Sequence, residues 1–160
     1  MAGATYFLTF CATGNDVLAE GGSLGSIFVE LGRMEADGIW KVRCVTVMPD
    51  HVHLIVELGN KLVLGRAVAR LKAKTKVAIL ARNMRWDVGF FDHRVSPDEG
   101  VFSVFSYVFS NPVKAGLISV DGASTWRGWW ISPQDAEWFY PEAELVAWAD
   151  ECPIWANGMR

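Results

Sequence analysis

The stretch VTVMPDHVHLIVEL, residues 45–58, decides the predicted fold class. The apolar, β-branched runs on either side of Pro49 and Asp50 each predict a strand. Pro followed by Asp favours a tight turn, so the two strands, over 39–48 and 51–58, are expected to form an antiparallel hairpin.

The segments around this hairpin supply the remaining predicted elements. A β-rich run predicts a strand over 6–12, and a glycine-rich loop over 19–25 separates it from a short helix that ends near Gly32 or Gly38. Helical periodicity predicts a second helix over 61–82. The order β-α-β-β-α predicts an α+β, ferredoxin-like (RRM-like) antiparallel sheet with helices packed on one face.

The predicted elements after residue 85 are a loop, a helix and a strand. An aromatic-rich loop is predicted over 86–95, and Ser96 with Pro97 resembles the start of a helix that runs to about Ser110. Asn111 and Pro112 are expected to end that helix, which places Tyr107 on a late helix. The run 117–120 predicts a further strand.

Length and composition indicate one globular domain. The chain has 160 residues, of which 51% are hydrophobic and 21% charged, and no uncharged apolar run approaches membrane-spanning length. Three widely spaced cysteines without a CxxC motif favour reduced thiols, and the N-terminus lacks a secretory signal, so a cytoplasmic location is expected.

The net charge of −3 conceals an uneven distribution. Residues 61–94 carry nine basic and two acidic side chains, between two acidic flanks. Arg66, Arg70 and Lys74 recur every four residues, which places them on one face of the predicted helix, where like charges repel. A polyanion such as nucleic acid would relieve that repulsion.

Two of the three histidines in the chain lie on one predicted strand. His51 and His53 flank Val52, and residues i and i+2 of a strand point to the same face. Two imidazoles that project together can bind a divalent first-row metal ion, although most HxH pairs are ordinary polar positions.

Tyr107 and Asn111 are four residues apart, so they share one face of the predicted late helix. A phenol can act as a covalent nucleophile, and an amide oxygen is a competent ligand for Mg²⁺ or Mn²⁺. Core packing for the tyrosine and helix termination for the asparagine are the alternative interpretations.

Three segments in order, VTVMPDHVHLIVEL, WDVGFFDHRVSPDEG and YVFSNPVKAGLI, resemble the REP-associated tyrosine transposases. These belong with the transposases of single-strand insertion sequences among the HUH (His-hydrophobic-His) endonucleases. The resemblance covers roughly residues 5–130, and its end motifs are separated by the interval from His53 to Tyr107. It implies an HUH transposase-like catalytic domain over 1–130, followed by an acidic, Trp-rich extension over 131–160.

The resemblance implies a role for each matching position. His51 and His53 match the paired metal ligands, Tyr107 matches the catalytic tyrosine, and Asn111 matches the polar residue that completes the metal site. His93 lies in the aromatic segment of the family and is expected to have a supporting role. The implied cofactor is a divalent metal ion, Mg²⁺ or Mn²⁺.

The implied reaction is nicking and rejoining of single-stranded DNA through a 5′-phosphotyrosine intermediate, at hairpin (REP-like) sequences, as in DNA transposition. The expected partner is single-stranded or hairpin DNA, no membrane is expected, and a homodimer is left open. The residues expected to contact DNA are basic: Arg66, Arg70, Lys74, Arg94 and Lys114.

Two other functions remain open. The first is a non-catalytic, nucleic-acid-binding ferredoxin-like protein, although the RNA-binding motif K/R-G-F/Y-G/A-F-V-x-F/Y is absent. The second is a metal-dependent hydrolase that uses His51, His53 and His93. The acidic balance of this chain departs from the family, many members of which are basic, and six acids lie within 135–151.

Overall fold

The computed structural model describes residues 2–139, in which an antiparallel sheet is the central element. Its six strands are β1 (Thr5–Gly14), β2 (Trp40–Val47), β3 (His51–Leu58), β4 (Met84–Trp86), β5 (Phe91–Val95) and β6 (Trp129–Ile131). The helices are α1 (Gly21–Ala36), α2 (Leu64–Leu80), α3 (Phe102–Lys114) and α4 (Pro133–Ala136).

The strands lie in the order β4-β1-β3-β2-β6, and β5 also pairs with β1. The predicted hairpin is present, because β2 and β3 pair directly and Met48 donates its backbone N–H to His51 across the turn. The two halves of β1 pair with different strands, the first half with β5 and the last residues with β4. The predicted α+β, ferredoxin-like class is therefore confirmed.

The predicted placement of the helices on one face is wrong, because helices cover both faces of this sheet. The two long helices pack on one face through side chains such as Ile27 and Leu71, which join Leu54 and Val56 in one buried cluster. The opposite face carries α3, whose aromatic side chains pack with Phe7 and Ile55 in a second cluster. Residues alternate between faces along β3, so His51 and His53 point toward the α3 side.

Two predictions for the segments before Ser96 differ from the structure. Helix α1 begins at Gly21, inside the predicted loop, and runs to Ala36 beyond Gly32. The region 86–95, predicted as a loop, instead contains the end of β4 and all of β5. Both strands are short edge strands whose pairing depends on β1, so their own sequence gives little signal.

The predicted helix start at Ser96 is wrong. Ser96 and Glu99 form a reciprocal pair, in which the Glu99 N–H donates to the Ser96 hydroxyl and the Ser96 N–H donates to the Glu99 carboxylate. Gly100 then adopts a positive φ of 75°, which ends this turn, and α3 begins only at Phe102.

The predicted end of the late helix is also wrong, because α3 continues through Pro112 to Lys114. Pro112 is buried, and packing of the helix on the sheet outweighs the loss of one backbone hydrogen bond. The backbone N–H of Ala115 donates to Asn111, so the final turn is closed after the proline. The run 117–120 forms no strand; a 3-10 helix begins at Val120, and the last strand of the described region is β6.

The start of the predicted C-terminal extension packs against the sheet. Strand β6 pairs with β2, and Arg43 of β2 forms an ion pair with Asp135 of α4 at 2.7 Å. The domain boundary at 130 stays a prediction, and most of the acidic stretch 135–151 lies outside the described residues. Within residues 2–139, no helix has the length and apolar character required to cross a bilayer.

Candidate active site

Two imidazoles meet at the surface of the sheet that faces α3. His51 and His53 occupy alternate positions of β3, and their Nε2 atoms are 3.1 Å apart. Both rings are nearly inaccessible, with exposed fractions of 7% and 1%. Alternation along one strand is what brings these two rings together.

The Nδ1 atom of each imidazole contacts a side-chain oxygen of a neighbouring residue. Nδ1 of His53 lies 2.7 Å from the hydroxyl oxygen of Thr9, and Nδ1 of His51 lies 2.7 Å from a carboxylate oxygen of Asp50. When each Nδ1 carries the proton, it donates to these oxygens, and the Nε2 lone pairs then face the same point. The arrangement orients both rings for binding one ion.

His53 has an environment that disfavours its charged form. Burial lowers the pKa of His53 well below its usual value, and the neighbouring His51 lowers it further. A hydrogen bond with the side chain of Asn111 offsets part of this effect. The neutral imidazole is the form that binds metal ions, and the same contact places Asn111 at the histidine pair.

Helix α3 brings Tyr107 to the same place. The ring of Tyr107 lies 5.3 Å from that of His53, centroid to centroid, in an edge-to-face arrangement. Phe7 of β1 lies under both, stacked on His53 at 5.4 Å and edge-on to Tyr107 at 5.8 Å. Because α3 presents residues i and i+4 on one face, Tyr107 and Asn111 both reach the histidines.

A basic side chain completes this group. The Lys114 ammonium lies 5.6 Å from the centre of the Tyr107 ring, within the range of a cation–π contact. Lys114 is one helical turn beyond Asn111 and is itself exposed. Its positive charge favours negative charge on the phenol oxygen and on any phosphate that approaches it.

The donor set fits a divalent ion. Bonds from imidazole nitrogen to first-row metals are about 2.0–2.1 Å long, so two Nε2 atoms 3.1 Å apart can bind the same ion. Within residues 2–139, no group of three His, Cys, Asp or Glu side chains is arranged for a metal. The third protein ligand available here is the Asn111 amide oxygen, which suits Mg²⁺ and Mn²⁺.

The predicted basic stripe lies elsewhere. Arg66, Arg70 and Lys74 are on α2, which packs on the face of the sheet opposite to α3. Arg66 and Lys74 are exposed, whereas Arg70 pairs with two acids of the α1 region, at 2.7 Å from Asp37 and 3.6 Å from Glu30. Acids outside α2 therefore neutralise one of the three charges, which helical spacing alone does not reveal.

Strand β5 carries the two other predicted residues. His93 lies opposite Phe7 of β1, and its Nε2 is 2.9 Å from the carboxylate of Glu99. Arg94 is the next residue and is exposed, so it points to the other side of the sheet edge from His93. Of the predicted DNA-contacting residues, Lys114 is the one that the structure brings to Tyr107.

Comparison with solved structures agrees with this fold. A REP-associated tyrosine transposase bound to a REP hairpin is similar over 89% of this chain and 85% of its own, with a TM-score of 0.73 and 20% identity. A candidate transposase from Deinococcus radiodurans R1 matches 58% of this chain and 79% of its own, at 16% identity and a TM-score of 0.48. No family model and no curated protein matches the sequence. The chain therefore has the fold of a REP-associated tyrosine transposase, as the resemblance implies.

Some of the residues that contact the two imidazole rings were not predicted from the sequence. Thr9, Asp50 and Phe7 each contact an imidazole ring, yet none belongs to a chemical motif on its own. The contact of Asp50 with His51 could have been predicted, because the two residues are adjacent in the sequence. Thr9 and Phe7 come from the register between β1 and β3, which pairs Thr9 with His53. That register becomes visible only in the folded sheet.

Proposed function

We propose that this chain nicks and rejoins single-stranded DNA in a metal-dependent reaction of the HUH type, with Tyr107 as nucleophile. His51, His53 and Asn111 would hold Mg²⁺ or Mn²⁺, and the DNA would be a hairpin (REP-like) sequence, as in transposition. The observation that carries this proposal is the contact of the Tyr107 ring with His53, whose Nε2 atom lies 3.1 Å from that of His51. The fold likeness to a protein bound to a REP hairpin supports hairpin DNA as the partner.

The proposed reaction exchanges one phosphate ester for another. The Tyr107 phenol oxygen attacks the scissile phosphorus, a 5′-phosphotyrosine bond forms, and the bond to the 3′-oxygen breaks. The phenol loses a proton and the departing 3′-oxygen gains one, so charge balances. A free 3′-hydroxyl reverses the step and joins the strands, and no nucleotide hydrolysis is required.

The side chains have separate tasks in this scheme. Thr9 and Asp50 orient the imidazoles, Phe7 fixes the position of the Tyr107 ring, and Lys114 stabilises the phenolate and attracts the phosphate. His51, His53 and Asn111 would hold a divalent ion, which would supply Lewis-acid stabilisation of the phosphate charge. The low exposure of Tyr107, 6%, limits attack to a strand that is seated at the site.

A covalent-adduct assay tests this proposal. Wild-type protein is incubated with 5′- and 3′-labelled hairpin-bearing single strands and Mn²⁺, and the products are separated under denaturing conditions. We expect a protein-linked strand and a free 3′-hydroxyl product with wild type, and neither with Tyr107→Phe. Tyr6→Phe is the matched control, because Tyr6 lies on β1 in the cluster on the opposite face of the sheet.

The two other functions predict different results. A non-catalytic binding protein would retain DNA without an adduct, and wild type and Tyr107→Phe would behave alike. A hydrolase based on His51, His53 and His93 would cleave with Tyr107→Phe and form no adduct. The ion pair between His93 and Glu99 and the position of His93 beyond β1 argue against its binding an ion with the other two histidines.

A further inference from the structure

A small pocket opens at the edge of the sheet beside the histidine pair. Its volume is about 320 Å³, and its walls are the Thr9–Cys11 part of β1 and the segment 87–91. The pocket exists because β1 pairs with β5 up to Thr9 and with β4 from Ala12. Residues 87–90, which connect β4 to β5, lie outside both of these strand pairings.

The pocket adjoins the candidate active site directly. Thr9, whose hydroxyl contacts His53, also lines the pocket. Cys11 lies opposite His51 in the pairing of β1 with β3, and the Cβ atoms of residues directly opposite are about 4.5–5.5 Å apart. A strand that places a phosphate at the histidines therefore brings a neighbouring nucleotide to this pocket.

The pocket wall is held in place before any ligand arrives. Lys72 of α2 donates to the backbone carbonyls of Asp87 and Gly89, at 2.8 and 2.5 Å. The backbone N–H of Asp87 donates to the carbonyl of Cys11, and the hydroxyl of Thr13 donates to Oδ1 of Asp87. A preformed wall saves the cost of ordering a loop on binding.

Two side chains of the wall match a nucleobase. Phe91 is an aromatic ring with 37% of its surface exposed, and such rings stack on unpaired bases of any sequence. Asp87 is exposed, and the Thr13 hydroxyl bonds to its Oδ1 atom rather than to Oδ2. A carboxylate accepts a hydrogen bond from the exocyclic amino group of cytosine. It repels phosphate, so it favours contact with a base over contact with the DNA backbone.

We infer that this pocket binds one unpaired, amino-bearing base of the engaged strand, stacked on Phe91 and hydrogen-bonded to Asp87. The inference rests on the proposed function only in taking single-stranded DNA as the ligand, and it requires no cleavage. Cytosine offers an amino group to the carboxylate, whereas thymine offers only a carbonyl oxygen and a methyl group at the same edge. The pocket therefore gives this chain a preference for cytosine over thymine.

Binding of labelled dC12 and dT12 at neutral pH without metal tests the inference by fluorescence anisotropy. We expect wild type to bind dC12 roughly 5- to 150-fold more tightly than dT12, and Asp87→Asn to remove that ratio. Phe91→Ala is expected to weaken binding of both strands by roughly 5- to 150-fold, and Phe91→Trp to restore it. Asparagine still accepts from Thr13 through its amide oxygen, so the wall remains formed.

The matched control is Phe102→Ala, because Phe102 is 39% exposed and lies at the start of α3, away from the pocket walls. It is expected to bind both strands as wild type does. The inference is overturned if Asp87→Asn keeps the ratio, or if Phe91→Ala binds within twofold of wild type. Loss of the adduct with an intact dC12 preference would overturn the proposed function alone, and an adduct without the preference would overturn this inference alone.

Discussion

At the scale of single residues, the histidine pair depends on two side-chain oxygens, one from Thr9 and one from Asp50. The Thr9 hydroxyl is buried at the centre of the sheet, whereas the Asp50 carboxylate stands in solvent with 75% of its side chain exposed. Both contact Nδ1 atoms at 2.7 Å and so orient the two Nε2 atoms toward one point. Groups that orient metal-binding histidines in this way commonly contribute strongly to metal affinity.

Thr9→Val tests this role, because valine keeps the shape of threonine and removes the oxygen that accepts from His53. We expect Mn²⁺ affinity to fall roughly 10- to 100-fold, as measured by isothermal titration calorimetry. Thr9→Ser restores the hydroxyl and is expected to restore most of the affinity. Thr5→Val, on the same strand and outside the site, is the control; equal Mn²⁺ affinities for Thr9→Val and wild type would contradict the role.

The residue scale also shows what the sequence could and could not predict about the site. Spacings of two and four residues place His51 with His53 and Tyr107 with Asn111 on shared faces, and the resemblance to the transposase family implies that the two pairs form one site. The structure brings these four side chains together. The contribution of Thr9 was not predictable, because it requires the register of a strand more than forty residues away.

At the scale of elements, an aromatic cluster holds α3, which carries Tyr107, against the sheet. Phe105 and Phe109 are buried beneath the helix, and Phe139 and Trp129 pack against them from the C-terminal segment. Large apolar side chains at such an interface contribute most of its stability. The position of Tyr107 therefore depends on side chains that lie outside the candidate active site.

Phe109→Ala is expected to destabilise the fold by about 3–5 kcal/mol, because it leaves a cavity at a side chain that is only 2% exposed. Phe102→Ala, on the exposed side of the same helix, is expected to cost about 1 kcal/mol or less. Urea denaturation followed by tryptophan fluorescence measures both. Similar losses for the two variants would contradict the packing described for α3.

The ion pair between β2 and α4 predicts a pH dependence of stability. Burial raises the pKa of the Asp135 carboxyl, but hydrogen bonds from Arg43, Ser132 and Trp138 outweigh it and hold the pKa below its usual value. The folded state therefore favours the carboxylate, and this stabilisation is complete above the ordinary carboxyl pKa and lost as the pH falls through the lowered one.

Asp135→Asn is expected to lower the free energy of unfolding by about 1–3 kcal/mol at neutral pH, because it leaves the half-buried Arg43 without its charged partner. The difference from wild type should shrink as the pH falls through the acid range. Urea denaturation across that range measures it. A difference that stays constant down to strongly acidic pH would refute the assignment of this stabilisation to the carboxylate.

Elements with strong internal periodicity were predictable, and elements defined by their partners were not. The hairpin of β2 and β3 and helix α2 follow from apolar patterns within each segment. Strands β4, β5 and β6 have three to five residues each and exist because β1 and β2 present open edges to them. Helix α3 passes through Pro112 because burial on the sheet outweighs a local stop signal.

At the scale of the whole molecule, basic charge lies on both faces of the sheet. Lys114 lies beside Tyr107, whereas Arg66 and Lys74 stand exposed on α2 on the other face. Part of the basic block is neutralised within the protein, since Arg70 pairs with Glu30 and Asp37. The net charge of the chain therefore says little about where a nucleic acid would bind.

Salt dependence of hairpin binding separates these positions. If Arg66 and Lys74 contact phosphates, replacing each by Gln should reduce the slope of log K against log salt by about 0.7–0.9 and weaken binding without changing stability. Arg70→Gln should instead destabilise the fold, because it removes the nearer of the two cations that face the buried Glu30 and leaves only Arg33, at 3.9 Å, within residues 2–139. Unchanged slopes for Arg66→Gln and Lys74→Gln would restrict the DNA surface to the face that carries Tyr107.

The central claim is that Tyr107 becomes covalently linked to DNA. Trypsin cleavage after Arg94 and Lys114 releases the peptide 95–114, in which Tyr107 is the single tyrosine. After reaction with hairpin DNA and Mn²⁺ and nuclease trimming, mass spectrometry should find this peptide carrying a nucleotide joined through its 5′-phosphate to Tyr107. An unmodified peptide 95–114 from a reaction in which the DNA has been cleaved would contradict the account.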